Sequence, residues 1–205
     1  MKLFITGIGT DVGKTIVSAI VVEALEADYW KPIQAGDLVN SDSHKVQSKV
    51  KSQKSKVHPN AYELKTSASP HFAAQLDGTT IDLKKILEPK IKNHLVIEGA
   101  GGVLVPLNDT DCVIDLIQSD YKVIVVSRHY LGSINHTLLT FEALKNRKIS
   151  VAGIIFSGDE NKATEEIILK KTGAKFIGRI DNEPYFDANV IRYYADLFKE
   201  NLLTL

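Results

Sequence analysis

The amino-acid sequence predicts an α/β fold, a doubly wound and mainly parallel sheet flanked by helices. Three apolar, β-branched runs carry this prediction, at His94–Glu98, Val123–Ser127 and Val151–Phe156. None of them alternates cleanly between polar and apolar residues, which is typical of parallel strands that are covered on both faces. Stretches with helical spacing separate the runs, and alternating strands and helices favour a doubly wound sheet.

The N-terminal part of the chain predicts a strand, a glycine-rich turn, a helix and a second strand. Leu3–Ile5 is the first short apolar run, and a helical stretch follows the turn from Lys14 to Ala27. This stretch is apolar on most of its sides, so we expect the helix to be buried. The second strand is expected at Tyr29–Ile33, ended by Pro32.

The remaining elements continue the alternation towards the C-terminus. Helices are expected at Ile134–Asn146, between the second and third apolar runs, and at Lys162–Thr172. Lys175–Ile180 is the last candidate strand, and Asn189–Leu203 has the pattern of a C-terminal helix. Since no repeat and no linker rich in proline, glycine or serine interrupts the chain, we expect one domain over residues 1–205.

Composition and charge exclude several classes of protein. The 205 residues contain 25 Lys+Arg and 25 Asp+Glu, a formal net charge of zero, whereas nucleic-acid binders usually have a basic excess. No apolar run approaches the roughly 18 to 20 residues of a membrane span. We therefore expect neither nucleic acid nor a membrane as a partner. Cys112 is the only cysteine, which excludes an internal disulfide and favours a reducing, cytoplasmic location.

A phosphate-binding loop carries the strongest chemical signal. Gly7–Thr15 has the sequence GIGTDVGKT and matches G-x-x-x-x-G-K-[ST], after an apolar strand and at the start of a helix, as the motif requires. Its glycines let backbone N–H groups surround phosphate oxygens, and the helix N-terminus adds positive potential. We expect Lys14 to bridge the β- and γ-phosphates and Thr15 to coordinate Mg²⁺. The sequence therefore predicts a P-loop NTPase.

Three further charged residues stand at positions that suit a phosphate or metal site. Lys31 ends the second predicted strand, where ligands bind in open α/β sheets, and a lysine there can stabilise a transferring phosphoryl group. Glu98 opens the segment EGAGG after an apolar run, and Asp42 lies in a polar segment; both carboxylates suit Mg²⁺. Taken alone, Lys31 is also typical of a surface lysine and Asp42 of a turn residue.

Together these segments resemble the dethiobiotin synthetase family. The matching segments appear in family order and are GIGTDVGKT, KPIQAG, NSD, SPH, VIEGAGGVLVPL and LGSINHTLLT. They span residues 2 to about 145, and the remainder matches poorly. The resemblance implies closure of a ureido ring from 7,8-diaminononanoate, CO₂ and ATP, through a carbamate and a carbamic–phosphoric anhydride.

The resemblance also implies a role for each matching residue. Lys31 and Lys14 correspond to catalytic lysines, with Lys31 holding the carbamate. Ser69, Gly101 and Asn135 correspond to residues beside the substrate, and the family takes Asn135 from a partner subunit, which implies a homodimer with a shared active site. The implied Mg²⁺ ligands are Thr15, Asp42 and Glu98. The implied nucleotide contacts are Gly9, Thr10, Asp11, Val12, Gly13, Lys14, Thr15, Ile16, Asp42, Glu98, Gly99, Ala100 and Gly101.

The chain departs from the family pattern at several positions. Ala35 stands where the family commonly has Ser or Thr. Ser157 and Gly158 stand where an Asn-Asp pair reads adenine, and Asp181 replaces a proline that packs on the base. A serine hydroxyl cannot make the bidentate contact that an amide makes to adenine. These departures predict weak discrimination between nucleotide bases.

Other interpretations of the motifs remain open on sequence grounds. A cobyrinate-type amidotransferase shares the P-loop but normally needs a glutaminase domain with a catalytic Cys and His. A regulatory ATPase of the partition or septum-site kind typically has an extra lysine early in the loop, and Ile8–Val12 contains none. The lysine-rich segment Lys45–Lys56 indicates a solvated helix face or loop, with a nucleotide- or partner-binding patch as the alternative.

Overall fold

The central element of the structure is a seven-stranded sheet in which every neighbouring pair of strands runs parallel. This computed structural model describes residues 1–205. The strands lie in the order β4-β2-β6-β1-β7-β8-β9, and β3 pairs with β5 in a separate two-stranded sheet. The strands are β1 (Lys2–Gly7), β2 (Asp28–Trp30), β3 (Ile33–Ala35), β4 (Val57–His58), β5 (Tyr62–Leu64), β6 (Leu95–Gly102), β7 (Tyr121–Arg128), β8 (Val151–Ser157) and β9 (Phe176–Ile180).

Helices cover both faces of this sheet, which confirms the predicted fold class. None of them combines the length and the apolar run that crossing a bilayer requires. The helices are α1 (Lys14–Leu25), α2 (Asp42–Lys49), α3 (Pro70–Leu76), α4 (Ser133–Asn146), α5 (Lys162–Thr172) and α6 (Ala188–Leu203).

The strands do not alternate between polar and apolar residues, because each strand contributes side chains to two hydrophobic cores. In β1, Leu3 and Ile5 belong to the core under α1 and α6, whereas Phe4 belongs to the core on the opposite face. In β6, Val96 faces the first core and Ile97 the second. Successive side chains of a strand point to opposite faces, so a strand covered on both faces is apolar at every position.

The second predicted strand was wrong as one continuous element. Tyr29–Ile33 divides into β2, whose last paired residue in the large sheet is Trp30, and β3, which begins at Ile33 in the small sheet. Pro32 has no N–H to donate to a strand neighbour, and its carbonyl accepts hydrogen bonds from the backbone N–H groups of Ala61 and Tyr62 at the start of β5. Lys31 therefore lies between the two sheets.

Two other local predictions also need correction. The strand predicted at His94–Glu98 ends later than expected, because β6 continues to Gly102 beside β1. The helix predicted to begin at Ile134 begins one residue earlier: Gly132 is its N-cap residue, and Ser133 is buried as the first helical residue.

The lysine-rich segment Lys45–Lys56 forms most of α2 and the loop that follows it, as the solvated interpretation predicts. Its lysines contact groups on neighbouring segments rather than forming one free basic patch. The side-chain pairs are Lys45 with Asp37, Lys49 with the Phe186 carbonyl, Lys51 with Asn189 and Lys54 with Glu26. Two of these pairs, those of Lys49 and Lys51, connect the segment to the C-terminal region that contains α6.

Candidate active site

A cleft of about 690 Å³ lies where β1, β2 and β6 reach their carboxyl ends. Such ends are where open α/β sheets bind ligands. Most of the residues predicted for the site line this cleft, although they come from distant parts of the chain. The predicted residues found there are Thr10, Asp11, Gly13, Lys14, Thr15, Ile16, Lys31, Asp42, Ser69, Glu98, Ala100 and Gly101.

The phosphate-binding loop is held in shape by its own backbone and by Lys14. The Lys14 ammonium donates to the Gly9 carbonyl at 2.8 Å, and the side chain is buried. Burial lowers the pKa of Lys14 to about 8, and the nearby charge of Lys31 adds to this effect. Gly13 is the last residue before the helix and has φ +96°, a backbone conformation that residues with a side chain rarely adopt. The loop that precedes α1 therefore has a shape that its own residues determine.

Glu98 lies at the centre of the charged part of the cleft and is only 1% exposed. Its Oε1 accepts hydrogen bonds from the Thr15 hydroxyl at 2.9 Å and from the Lys31 ammonium at 3.2 Å. Its Oε2 accepts a hydrogen bond from the Tyr29 hydroxyl at 2.8 Å. A buried carboxylate needs such donors, because removing it from water without them is unfavourable.

Lys31 bridges two carboxylates from different elements. Its ammonium forms ion pairs with Asp42, the first residue of α2, and with Glu98 in β6. Burial alone lowers the pKa of Lys31, but the charges of Glu98 and Asp42 outweigh it and raise the pKa above its ordinary value. Burial likewise opposes ionisation of Asp42, yet Lys31 holds the pKa of this carboxyl below its ordinary value. Lys31 and Asp42 are therefore both charged near neutral pH.

The oxygen donors in the cleft fit a magnesium ion bound together with a triphosphate. Thr15 supplies a hydroxyl, and Asp42 and Glu98 supply carboxylates, the hard ligands that Mg²⁺ prefers. The structure contains no group of three or more His, Cys, Asp or Glu side chains placed to hold a metal ion. Magnesium at a nucleotide site needs no such cage, because it takes one or two carboxylates and completes its shell with phosphates and waters.

Four predicted residues do not line the cleft. Val12 is buried in the core under α1, and Gly9 contributes its carbonyl to Lys14. Gly99 faces the opposite core, because it follows Glu98 in a strand; a Cβ there would lie 3.2 Å from the Phe4 ring. Asn135 is exposed in the first turn of α4, so its own chain does not bring it to this cleft.

Sequence reasoning missed several residues of the site, of which Gln34 is the clearest. Its side chain is buried, donates to the Gly36 carbonyl at 2.9 Å and accepts from the Asp42 backbone N–H at 3.3 Å. Gln34 thereby holds the start of α2 against β3. Lys45 also lines the cleft and lies 3.5 Å from the Asp42 carboxylate, at the i,i+3 spacing that helix geometry would have indicated.

The positions implied to read the base lie beside the loop but outside the cleft. Ser157 ends β8, and its hydroxyl is 3.2 Å from the place where a Cβ on Gly13 would lie. Asp181 is exposed and accepts a hydrogen bond from Arg179 at 2.9 Å, and Arg179 also pairs with Glu165. No amide or proline side chain stands at these positions.

Comparison with protein families and curated proteins extends the resemblance to nearly the whole chain. A family model described as "AAA domain" matches residues 1–190. The ATP-dependent dethiobiotin synthetase BioD of Christiangramia forsetii is 59% identical, over 97% of this chain and 96% of the relative. The protein of the same name from Cytophaga hutchinsonii is 54% identical, over 95% of each chain. The expectation that the match fades after about residue 145 was therefore wrong.

Solved structures with the same fold are more distant in sequence. A ParA family ATPase from Chlorobium tepidum TLS has a TM-score of 0.61 and 13% identity, covering 99% of each chain. The MinC:MinD cell division protein complex of Aquifex aeolicus has a TM-score of 0.61 and 15% identity, covering all of this chain and 96% of that one. At this identity the likeness establishes the fold alone.

We predict that Gly13→Ala weakens triphosphate binding at least tenfold. An L-residue at φ +96° costs about 1–2 kcal/mol, and the new Cβ would press on Ser157, so the loop must change shape. Titration calorimetry with a non-hydrolysable ATP analogue measures the affinity, and urea unfolding measures the stability.

Gly173→Ala is the matched control for this substitution. Gly173 has φ +64° at the C-terminal end of α5, with open space around it, so an alanine there introduces the same kind of backbone strain outside the loop. The Gly173→Ala variant should lose a similar free energy of unfolding and keep its affinity for the ATP analogue. Equal affinity of the Gly13→Ala variant and the unmodified protein would contradict the prediction.

Proposed function

Because this chain belongs to the dethiobiotin synthetase family, we propose that it closes the ureido ring of dethiobiotin from 7,8-diaminononanoate and CO₂, with ATP converted to ADP and phosphate. It is an enzyme of the ATP-dependent ligase class. One observation carries the proposed chemistry: Lys31, a buried cation, lies beside the phosphate-binding loop and between two carboxylates in one cleft.

The proposed reaction uses the two amines of the substrate as its nucleophiles. One amine attacks CO₂, loses a proton to solvent and becomes a carbamate. A carbamate oxygen attacks the γ-phosphorus of ATP and ADP leaves, which gives a carbamic–phosphoric anhydride. The second amine attacks the carbonyl carbon, loses its proton and expels phosphate as the ring closes. The protein then has to position these groups and neutralise charge, which are its main tasks in phosphoryl transfer.

The two buried lysines supply the positive charge that this sequence of steps requires. Lys31 keeps its proton because the neighbouring carboxylates raise its pKa, so it can hold the anionic carbamate and the developing phosphate charge. Lys14, with a pKa of about 8, is mostly protonated at neutral pH, and a bound triphosphate raises that pKa further. Thr15, Asp42 and Glu98 would hold Mg²⁺, which supplies further charge neutralisation at the phosphates when bound.

The substrate carboxylate is proposed to lie near Ser69 and near Asn135 of the partner subunit. Ser69 lines the cleft just before α3, whereas Asn135 is on the outer surface of its own chain. Exposed apolar side chains lie four residues before and four residues after Asn135, at Leu131 and Leu139. An apolar surface around an active-site residue favours an interface, so the proposal includes a homodimer with shared active sites.

The organisation and location of the enzyme belong to the same proposal. One domain over residues 1–205 is supported by the meeting of Lys14, Lys31, Asp42 and Glu98 in a single cleft. A cytoplasmic location is supported by Cys112, the single cysteine, which is free.

We predict that phosphate release requires 7,8-diaminononanoate and bicarbonate together. Lys31→Ala and Lys14→Ala should each reduce the rate by roughly a hundredfold or more, because each removes a charge placed at the phosphates. A coupled phosphate assay measures the rate, and circular dichroism monitors the fold. Lys90→Ala, which changes an exposed lysine outside the cleft, is the control and should keep the normal rate.

Two outcomes of this experiment would contradict the proposal. Phosphate release with neither substrate present would favour a regulatory ATPase. A near-normal rate in the folded Lys31→Ala variant would remove that residue from the catalytic role.

We predict that kcat/KM for ATP, CTP and GTP agrees within about tenfold, because a single hydroxyl at Ser157 offers little discrimination between bases. The same phosphate assay with each nucleotide measures the three values. A strong preference for ATP over both other nucleotides would show that other groups read the base.

We predict that inactive Lys31→Ala and Asn135→Ala variants complement each other. If Asn135 acts across a dimer interface, a mixed dimer contains one intact site, and random reassociation restores about a quarter of the normal rate. Unfolding and refolding the two variants together, followed by the phosphate assay, measures the recovery. Refolding each variant alone is the control, and no recovery in the mixture would place Asn135 outside a shared site.

A further inference from the structure

Tyr29 lies directly behind the proposed metal site, at a position that the sequence indicates only as part of a strand. In the parallel pairing of β2 with β6, Tyr29 is opposite Val96, and Glu98 follows two residues later. Side chains two residues apart in a strand share a face, so Tyr29 and Glu98 are on the same face of adjacent strands. Tyr29 has no solvent exposure and packs in the core under α1.

The hydroxyl of Tyr29 hydrogen-bonds to one carboxylate oxygen of Glu98, and the other oxygen contacts residues of the cleft. It donates to Oε2 at 2.8 Å, while Thr15 and Lys31 both contact Oε1. Phenylalanine would fill the same core volume without a polar atom. A fully buried hydroxyl is unfavourable unless it is hydrogen-bonded, and Glu98 is its only hydrogen-bond partner. The hydroxyl therefore acts on Glu98 and on nothing else nearby.

We propose that Tyr29 is a positioning residue that fixes the carboxylate plane of Glu98, so that Oε1 stays directed at Thr15 and the cleft. The terminal torsion of a glutamate side chain is broad, so the carboxylate turns easily unless a partner holds it. Hydrogen bonds from outside the ligand shell commonly set metal affinity, with losses of about 10–100-fold when they are removed. This inference rests on the proposed function, in which Glu98 is a ligand of Mg²⁺.

The test compares Mn²⁺ binding in Tyr29→Phe and in the unmodified protein, both with β,γ-methylene-ATP. Electron paramagnetic resonance measures free Mn²⁺ and therefore its dissociation constant. We expect the dissociation constant to rise about tenfold or more in Tyr29→Phe. Binding of β,γ-methylene-ATP in the presence of EDTA should not change, because the Tyr29 hydroxyl donates to Glu98 and not to the loop or to Lys14. A general loosening of the core would weaken both kinds of binding.

Tyr121→Phe is the matched control. Tyr121 is also buried, and its hydroxyl donates to the Glu88 carboxylate at 2.6 Å, but this pair does not line the cleft. The substitution removes the same atom and the same kind of hydrogen bond, so Mn²⁺ affinity should stay unchanged. An equal loss in both variants would overturn the inference.

Glu98→Gln separates failure of this inference from failure of the proposed metal site. If Glu98 is a ligand, Glu98→Gln weakens Mn²⁺ binding, and adding Tyr29→Phe to it causes no further loss, because Tyr29 acts through Glu98. Weak binding in Glu98→Gln with normal binding in Tyr29→Phe would overturn the inference alone. Normal binding in Glu98→Gln would overturn both. If Tyr29→Phe alone does not fold, the double variant compared with Glu98→Gln still tests the coupling, and a further loss there would overturn it.

Discussion

A buried cation between two carboxylates is the interaction on which the site of this protein depends. Lys31 and Glu98 are both almost completely buried, and a lone charge at such a depth is unfavourable by several kcal/mol. Burial of these charges is tolerated because Lys31 pairs with Glu98 and also with Asp42. The surrounding elements meet this requirement: β6 carries Glu98, α2 begins at Asp42, and Gln34 holds that first turn in place. Removal of Lys31 would leave both carboxylates without its compensating charge.

The fold class could be predicted because the pattern that carries it is local. Strands such as β6 and β7 supply two cores with alternate residues, and this leaves continuous apolar runs that are visible in the sequence. The P-loop could likewise be predicted from Gly7–Thr15, since the motif includes its own strand and helix context. Lys31 and Glu98 could be selected as candidates because each stands at the end of a predicted strand, and the family resemblance assigned their roles.

The remaining features depend on which strands are neighbours, and the sequence does not show this. The break at Pro32 follows from pairing Ile33 with a strand that comes later in the chain. Gly99 faces away from the cleft because Glu98 faces it, and only the register with β2 and β1 decides which of the two does so. Gln34 and Tyr29 were missed for a related reason: a polar atom inside an apolar segment is informative only when its partner on another strand is known.

The division of the chain between two sheets at Lys31 and Pro32 places the two sides of the cleft on different sheets. The nucleotide side is built on the large sheet, whereas Ala35 and Ser69 belong to β3 and to the chain that follows β5. A substitution at Ala35 therefore changes the wall of the cleft on the side of the small sheet, while the phosphate-binding loop keeps its own contact between Lys14 and the Gly9 carbonyl.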